Sequence, residues 1–206
     1  NPGGRLSEIQ KLYSYLVTEE FQFIDKPQVT SRSSLFATYF NELPVLSYPI
    51  TAPLFPVVAT ILMSKTKKGT DGNYYFTMKS AKPMEPNPLH FDGKVYVLIN
   101  GGSFSASCII SSNLQATGRA VFVGEETGGT FNGTVAGRMP LLELPKSKLP
   151  LRLGLMDIRP LHKTEKEGRG IMPNVEIIPT LEQRLSGEDP ELEYILKLVS
   201  DSTQTK

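Results

Sequence analysis

The chain has 206 residues, of which 39% are hydrophobic and 21% are charged, and its formal net charge is +1. This composition is ordinary for a globular protein, and the near-neutral charge argues against nucleic acid or an acidic membrane surface as a partner. The single cysteine, Cys108, excludes an intramolecular disulfide and is expected to be a small core residue. The most apolar stretch, residues 45–63, contains three prolines and is not expected to span a membrane.

The first half of the chain predicts few regular elements. Apolar residues at helical spacing predict a helix over about residues 6–16, directly after the first glycines, and a short strand is expected at 21–24. The stretch from about 32 to 91 is rich in prolines and turn residues. We expect it to be an elaborated connection with one short strand near 74–78.

The second half predicts an α/β pattern. Residues 94–99 form a near-continuous apolar run, which is typical of a strand buried on both faces. A helix over 105–116 and a second buried strand at 120–123 complete a unit with the size of a parallel βαβ crossover. Residues 149–158 predict one further strand. Near the end, Asp189 is expected to cap a helix that begins at Pro190.

The segment between the predicted strand and helix, Asn100-Gly-Gly-Ser-Phe-Ser-Ala-Ser107, combines serines with glycines. It lies at the carboxyl edge of the sheet, where open α/β sheets bind ligands. A helix start supplies unpaired N–H groups and a partial positive charge, both of which stabilise a developing oxyanion. The pattern is therefore compatible with a nucleophilic serine. On local chemistry alone, Ser103, Ser105 and Ser107 could equally be turn and cap residues.

Three further glycine-rich turns follow the same order along the chain as in a known family. Together with residues 100–107, the turns Asn1-Pro-Gly-Gly4, Gly124-Glu-Glu-Thr-Gly-Gly129 and Gly168-Arg-Gly-Ile-Met-Pro-Asn-Val175 resemble the C-terminal processing, or tail-specific, serine peptidases and their tricorn-like relatives. The first turn resembles the second half of the family pattern Asp-Leu-Arg-x-Asn-x-Gly-Gly. The resemblance covers nearly the whole chain and is weak between residues 30 and 90.

The resemblance implies a fold and a set of site residues. The implied fold is α/β, a Clp protease/crotonase-like spiral of βαβ units with a mixed sheet. The implied nucleophile is Ser105, and the implied oxyanion hole uses the N–H groups of Ala106 and of Gly3 or Gly4. The other residues expected to line the site are Gly102, Ser103, Thr127, Gly128, Gly129 and Thr130.

The general base is where the chain departs from the family. The tail-specific branch carries a lysine 25 residues after the serine, and Thr130 holds that position here. A threonine hydroxyl cannot act as a base near neutral pH. In the tricorn-like branch a histidine earlier in the chain takes this role, and we expect it to precede Asn1. Among the residues present, His162 is a candidate base, whereas His90 is expected at the far end of the 94–99 strand.

The sequence thus predicts a serine-type peptidase that hydrolyses peptide bonds through a Ser105 acyl-enzyme, for tail or peptide processing in the periplasm or another exported location. We expect one catalytic-core domain over 1–206, with the connection at about 32–91, and with any PDZ-like domain in an upstream part of the protein. No cofactor, metal, nucleic acid or membrane span is expected, and homo-oligomerisation is left open. Two alternatives remain: a catalytically inactive binding protein on the same scaffold, favoured by Thr130, and a crotonase-like acyl-CoA enzyme.

Overall fold

The computed structural model describes residues 1–36 and 48–204. The chain forms two compact units. Unit 1 consists of Asn1–Phe21, Met84–Asn132 and His162–Lys206, and unit 2 consists of Gln22–Pro83 and Gly133–Leu161. Compact units of this size can be parts of one domain or separate domains, so the expectation of a single catalytic-core domain stays a prediction.

The described chain contains both helices and strands, with long runs of strands between the helices. In chain order the helices are α1 (Leu6–Ser14), α2 (Tyr48–Thr51), α3 (Phe55–Ser64), α4 (Ala106–Ala116), α5 (Leu181–Ser186) and α6 (Pro190–Gln204). The strands are β1 (Phe21–Gln22), β2 (Gln28–Val29), β3 (Thr66–Lys68), β4 (Tyr74–Phe76), β5 (Pro83–Met84), β6 (Val95–Ile99), β7 (Ala120–Gly124), β8 (Thr134–Ala136), β9 (Leu141–Glu143), β10 (Pro150–Arg152), β11 (Met156–Ile158) and β12 (Val175–Glu176). In the described parts of the chain, none of the helices has both the length and the apolar character that crossing a membrane requires.

Unit 1 is built around a parallel sheet in the order β12-β7-β6. β6 and β7 pair in parallel from Val95 opposite Ala120 to Ile99 opposite Gly124, and α4 connects them. The predicted βαβ crossover is therefore confirmed. Phe122 and Val123 of β7 are fully buried, as expected for the inner strand of this sheet.

The prediction that the 94–99 strand is buried on both faces is wrong. β6 has one neighbour in the sheet that the structure describes, and only its last residue, Ile99, is buried. Leu98 is 44% exposed. A continuous apolar run indicates hydrophobic side chains on both faces of a strand, but it does not show whether other elements pack on both faces.

Two helices of unit 1, α5 and α6, begin with a side-chain cap. The Leu192 N–H donates to Oδ1 of Asp189 at 2.9 Å, which confirms Asp189 as the cap of α6. α5 begins with a capping box, in which Thr180 and Gln183 bind each other's backbone N–H groups. Tyr13 of α1 packs edge-to-face on Phe21 with ring centroids 4.9 Å apart.

Unit 2 is mainly antiparallel. Its five-stranded sheet has the order β3-β4-β2-β11-β8, and β9 and β10 form a separate two-stranded hairpin. The single strand predicted over residues 149–158 is therefore wrong, because β10 and β11 belong to different sheets. Gly154 lies between them, where a Cβ atom would come within 2.8 Å of the Val135 backbone.

The prediction of one short strand in the connection at about 32–91 is wrong, because β3 and β5 lie there besides β4. Helices α2 and α3 were also not expected from the sequence. The prolines of residues 45–63 suggested an irregular connection, but Pro56 occupies the first turn of α3. Proline is tolerated there because the first N–H groups of a helix have no partner inside the helix. The part of the expected connection at residues 37–47 lies outside the described residues.

Candidate active site

Ser105 stands at the turn between β6 and α4. It is the N-cap residue of α4, with φ of 53° and ψ of −117°, a backbone conformation that favours glycine. A non-glycine residue held there costs on the order of 1–3 kcal/mol, and such strain clusters at functional sites. A sharp strand-to-helix turn of this kind exposes a nucleophile in the α/β hydrolases. The Ser105 hydroxyl has no hydrogen-bond partner within the part of the chain that the structure describes.

Ser103 has a structural role in the same turn. It is 6% exposed, and its Oγ accepts the N–H of Asn100 at 3.4 Å. Its own N–H donates to the carbonyl oxygen of Asn100 at 2.9 Å. The Gly102 N–H donates to Oδ1 of Asn100, also at 2.9 Å. These bonds fix the loop between β6 and Ser105.

The Asn1–Gly4 segment lies against the turn over residues 100–107 that holds Ser105, which we call the candidate nucleophile turn. The carbonyl oxygen of Asn1 accepts the N–H of Phe104 at 3.1 Å and the hydroxyl of Ser107 at 3.0 Å. Gly3 has φ of 106°, and a Cβ atom placed on it would lie 2.9 Å from the Cβ of Ser105. Glycine is therefore required at this position, both for its backbone conformation and for the close approach.

Two backbone donors in these segments, the N–H groups of the residues that follow Gly3 and Ser105, lack an acceptor. The Gly3 N–H donates to Oδ1 of Asn1 at 2.9 Å. By contrast, no acceptor for the N–H of Gly4 or of Ala106 is found across residues 1–36 and 48–204. The Ala106 N–H directly follows the serine at a helix start, and Gly4 follows the glycine that packs against Ser105. Unpaired N–H groups that converge on one point can bind an oxyanion.

The Gly128–Gly129 turn packs on the other side of the same loop. The Gly129 N–H donates to the Ser103 carbonyl oxygen at 2.9 Å. A Cβ atom on Gly128 would lie 2.3 Å from the Gly101 carbonyl oxygen, and one on Gly129 would lie 3.3 Å from the Ser105 nitrogen. The candidate nucleophile turn thus leaves no room for a side chain at Gly128 or Gly129.

Thr127 and Thr130 flank that glycine pair. Thr127 is 4% exposed, and its Oγ1 accepts the Ile171 N–H and donates to the Gly129 carbonyl oxygen, both at 2.8 Å. Thr130 forms an isolated antiparallel bridge with Gly170. Thr130, which holds the expected lysine position, therefore directly follows Gly129, and Gly129 contacts the candidate nucleophile turn.

An ion pair that sequence reasoning missed supports this turn. Arg169 donates Nε to Oε1 of Glu126 at 3.0 Å and Nη2 to Oε2 at 2.7 Å. The same Oε1 accepts the Gly170 N–H at 2.8 Å. A bidentate pair has defined geometry, so it fixes residues 168–171 against the strand-end turn. No local sequence signal joins Glu126 to Arg169, because they are 43 residues apart.

The two histidines of the chain, His90 and His162, lie in loops other than the one that holds Ser105. His162 is exposed, in the loop before Thr164, whose N–H donates to Oδ1 of Asn132 at 2.8 Å. His90 precedes the amino end of β6, and its Nε2 lies 3.0 Å from Asp92. Neither histidine, and no lysine of the described chain, is hydrogen-bonded to Ser105.

Cys108 is a core residue, as expected. It is 2% exposed, and its thiol donates to the Ser103 carbonyl oxygen at 3.3 Å. Burial raises the pKa of the Cys108 thiol above its usual value, which keeps it protonated at neutral pH. It is therefore not a competing nucleophile.

Comparison with known proteins identifies the family of the chain. A family model described as peptidase family S41 matches residues 1–177. The chain belongs to peptidase family S41. The predicted family and α/β fold class are thereby confirmed, and the crotonase-like acyl-CoA alternative is set aside.

Two solved structures are similar to this S41 chain. Mature CPAF complexed with lactacystin is 17% identical with a TM-score of 0.64, and the match covers 100% of this chain and 43% of that one. A peptidase from Parabacteroides merdae is 18% identical with a TM-score of 0.57, covering 96% and 49%. At these identities the likeness shows the shared fold. The chain spans less than half the length of both, and no curated protein matches it.

Proposed function

We propose that this S41 chain is the catalytic core of a serine peptidase whose nucleophile is Ser105. The observation that carries the proposal is the geometry at Ser105: a strained helix-start serine with an unpartnered hydroxyl, followed by the unpaired N–H of Ala106 and packed against the Gly3–Gly4 turn. Of the two glycines considered for the oxyanion hole, Gly4 is the better donor, because the N–H of Gly3 is already bound to Asn1.

The proposed reaction is acyl transfer to serine. Oγ of Ser105 attacks the peptide carbonyl carbon while a base takes its proton, and the carbonyl oxygen becomes an anion bound by the N–H groups of Gly4 and Ala106. The C–N bond then breaks, the amine leaves with that proton, and water hydrolyses the ester to restore Ser105. Because Thr130 stands at the lysine position, we propose that the base comes from a part of the protein outside these residues.

The substrate class follows from the family. Peptidase family S41 implies polypeptide substrates. The resemblance of the ordered motifs to tail-specific peptidases supports a finer proposal, which is processing at the carboxyl-terminal end of protein substrates in the periplasm or another exported location. The inactive binding-protein alternative is less favoured, because a non-catalytic scaffold has no need for a strained serine beside unpaired donors.

The proposal is tested with a fluorophosphonate probe on the protein as its gene encodes it. We expect stoichiometric labelling of Ser105 and peptide hydrolysis. Ser105→Ala should abolish labelling and lower the rate at least about 10³-fold. Ser147→Ala, an exposed serine in the β9–β10 hairpin, is the matched control and should behave as wild type. A folded protein that neither labels nor hydrolyses any peptide would instead favour a binding function.

A further inference from the structure

Two asparagines make the same small turn on the two loops that meet at Ser105. Oδ1 of Asn1 accepts the Gly3 N–H at 2.9 Å, and Oδ1 of Asn100 accepts the Gly102 N–H at 2.9 Å. Each is an Asx-turn, in which the side chain binds the backbone two residues further on. The spacing is visible in the sequence as Asn-x-Gly in both segments, but Asn and Gly are common turn residues and nothing local links the two turns.

The first Asx-turn is hydrogen-bonded to the loop that contains the second. The Asn1 carbonyl oxygen accepts the Phe104 N–H at 3.1 Å. Ser107, in the first turn of α4, donates its hydroxyl to the same Asn1 oxygen. Asn1 thus connects the Gly3–Gly4 pair to the start of α4, because its side chain binds Gly3 and its carbonyl oxygen binds Phe104 and Ser107.

We propose that Asn1 and Asn100 are paired positioning residues for the oxyanion hole; this inference rests on the proposed peptidase function. Oδ1 of Asn1 accepts the hydrogen bond of the Gly3 N–H, so the Gly4 N–H is the donor of this pair that remains available for an oxyanion. Asn100 fixes the loop that sets the backbone of Ser105 and hence the direction of the Ala106 N–H. Glycine loops are flexible, and a hole preorganised by fixed dipoles stabilises an anion better than one that must reorganise during the reaction.

The test compares alanine, serine and control variants of the protein as its gene encodes it. Asn1→Ala and Asn100→Ala each remove one Asx-turn, and the serine variants restore it in a weaker form, since a serine hydroxyl makes the same turn. Asn87→Ala is a matched control, because Asn87 makes an equivalent Asx-turn to the Leu89 N–H at 2.9 Å outside the site. For each variant we would measure kcat, KM, the melting temperature and the affinity for a peptide boronate, which mimics the tetrahedral intermediate.

We expect each site alanine variant to lower kcat about 10- to 100-fold with KM within about twofold, and to lower boronate affinity by a similar factor. The serine variants should recover part of both losses. The double variant should lose less than the product of the single losses, because the two turns support one hole. The Asn87→Ala control should match wild type in kcat and in boronate affinity.

The outcomes separate this inference from the proposed function. If the wild-type protein neither hydrolyses peptides nor labels at Ser105, the proposed function itself fails. If wild type is active and Asn1→Ala and Asn100→Ala change kcat no more than Asn87→Ala does, the positioning role is overturned. A loss of activity that tracks a fall in melting temperature, with no selective loss of boronate affinity and no rescue by serine, also overturns it, because the asparagines would then serve folding alone.

Discussion

At the scale of single residues, the structure separates three neighbouring serines that look alike in sequence. Ser103 is buried and hydrogen-bonded within its own loop. Ser107 donates its hydroxyl to Asn1. Ser105 has a strained backbone and, in the described chain, an unpartnered hydroxyl. The features that suit Ser105 to act as a nucleophile thus come from its backbone geometry. The sequence pattern alone does not show this geometry, and only the family resemblance pointed to Ser105.

Cys108 gives a prediction at the same scale. Because burial raises the pKa of its thiol, the thiolate fraction at a given pH is lower than for a free cysteine, and burial also blocks access. Between pH 7 and 8 we expect iodoacetamide to alkylate Cys108 at least about 10-fold more slowly in the native protein than in urea. Mass spectrometry of timed samples measures this. Equal rates in both conditions would show that the thiol is exposed and would contradict its assignment to the core.

At the scale of elements, the Thr127–Thr130 turn depends on one buried hydroxyl. Thr127→Val keeps the shape of the side chain but leaves the buried Ile171 N–H without its acceptor and the Gly129 carbonyl without its donor. We expect a loss of about 1–3 kcal/mol in the free energy of unfolding, measured by urea denaturation. Thr127→Ser retains the hydroxyl and is the control. If valine and serine were equally stable, the hydroxyl would not hold the turn.

Local sequence signals predicted the elements that depend on local rules. The α4 helix and its flanking parallel strands agree with the predicted crossover, and Asp189 caps α6 as expected. Two predictions were wrong because a local hydrophobic pattern does not show which strands lie next to one another in a sheet. The run at residues 94–99 could not show that β6 lacks a second neighbour in the described sheet. The leucine alternation at 149–158 could not show that Gly154 separates two sheets.

The order of motifs predicted the segments of the candidate site, namely Ser105, Ala106 and a glycine of the Gly3–Gly4 pair, and these residues stay a prediction. The sequence could not show their contacts. The proposal of Gly4 over Gly3 depends on the bond from the Gly3 N–H to Oδ1 of Asn1, which only the structure shows. The Glu126–Arg169 pair was missed for the same reason: contacts between distant segments leave no periodic trace in one sequence.

At the scale of the whole molecule, the candidate site belongs to unit 1. Its segments are residues 1–4, 100–108, 126–130 and 168–171, and all of them fall within that unit. Unit 2 contributes the chain between some of these segments. The catalytic geometry therefore depends on the packing within unit 1, around the carboxyl ends of β6 and β7.

We predict that the 206-residue chain on its own hydrolyses peptides slowly. In its described part, no histidine or lysine is hydrogen-bonded to Ser105, and a general base contributes about 10²- to 10⁴-fold to such a rate. Thr130→Lys, which places an amine at the family's base position, should raise the Ser105-dependent rate, and Thr130→Met is the uncharged control of similar length. Steady-state hydrolysis of a fluorogenic peptide measures both. A Ser105-dependent rate in the unaltered chain equal to that of the protein as encoded would contradict the prediction.

The hydrogen bonds of Asn1 also have a consequence in time. The bond from the Ser107 hydroxyl to the Asn1 carbonyl oxygen joins positions 106 residues apart, and such a long-range contact is slow to form because closing the loop costs chain entropy. Under the proposed function, a partly unfolded chain would carry Ser105 without the Asn1–Gly4 segment packed against it. We therefore expect the proposed oxyanion hole to form only as this long-range contact forms.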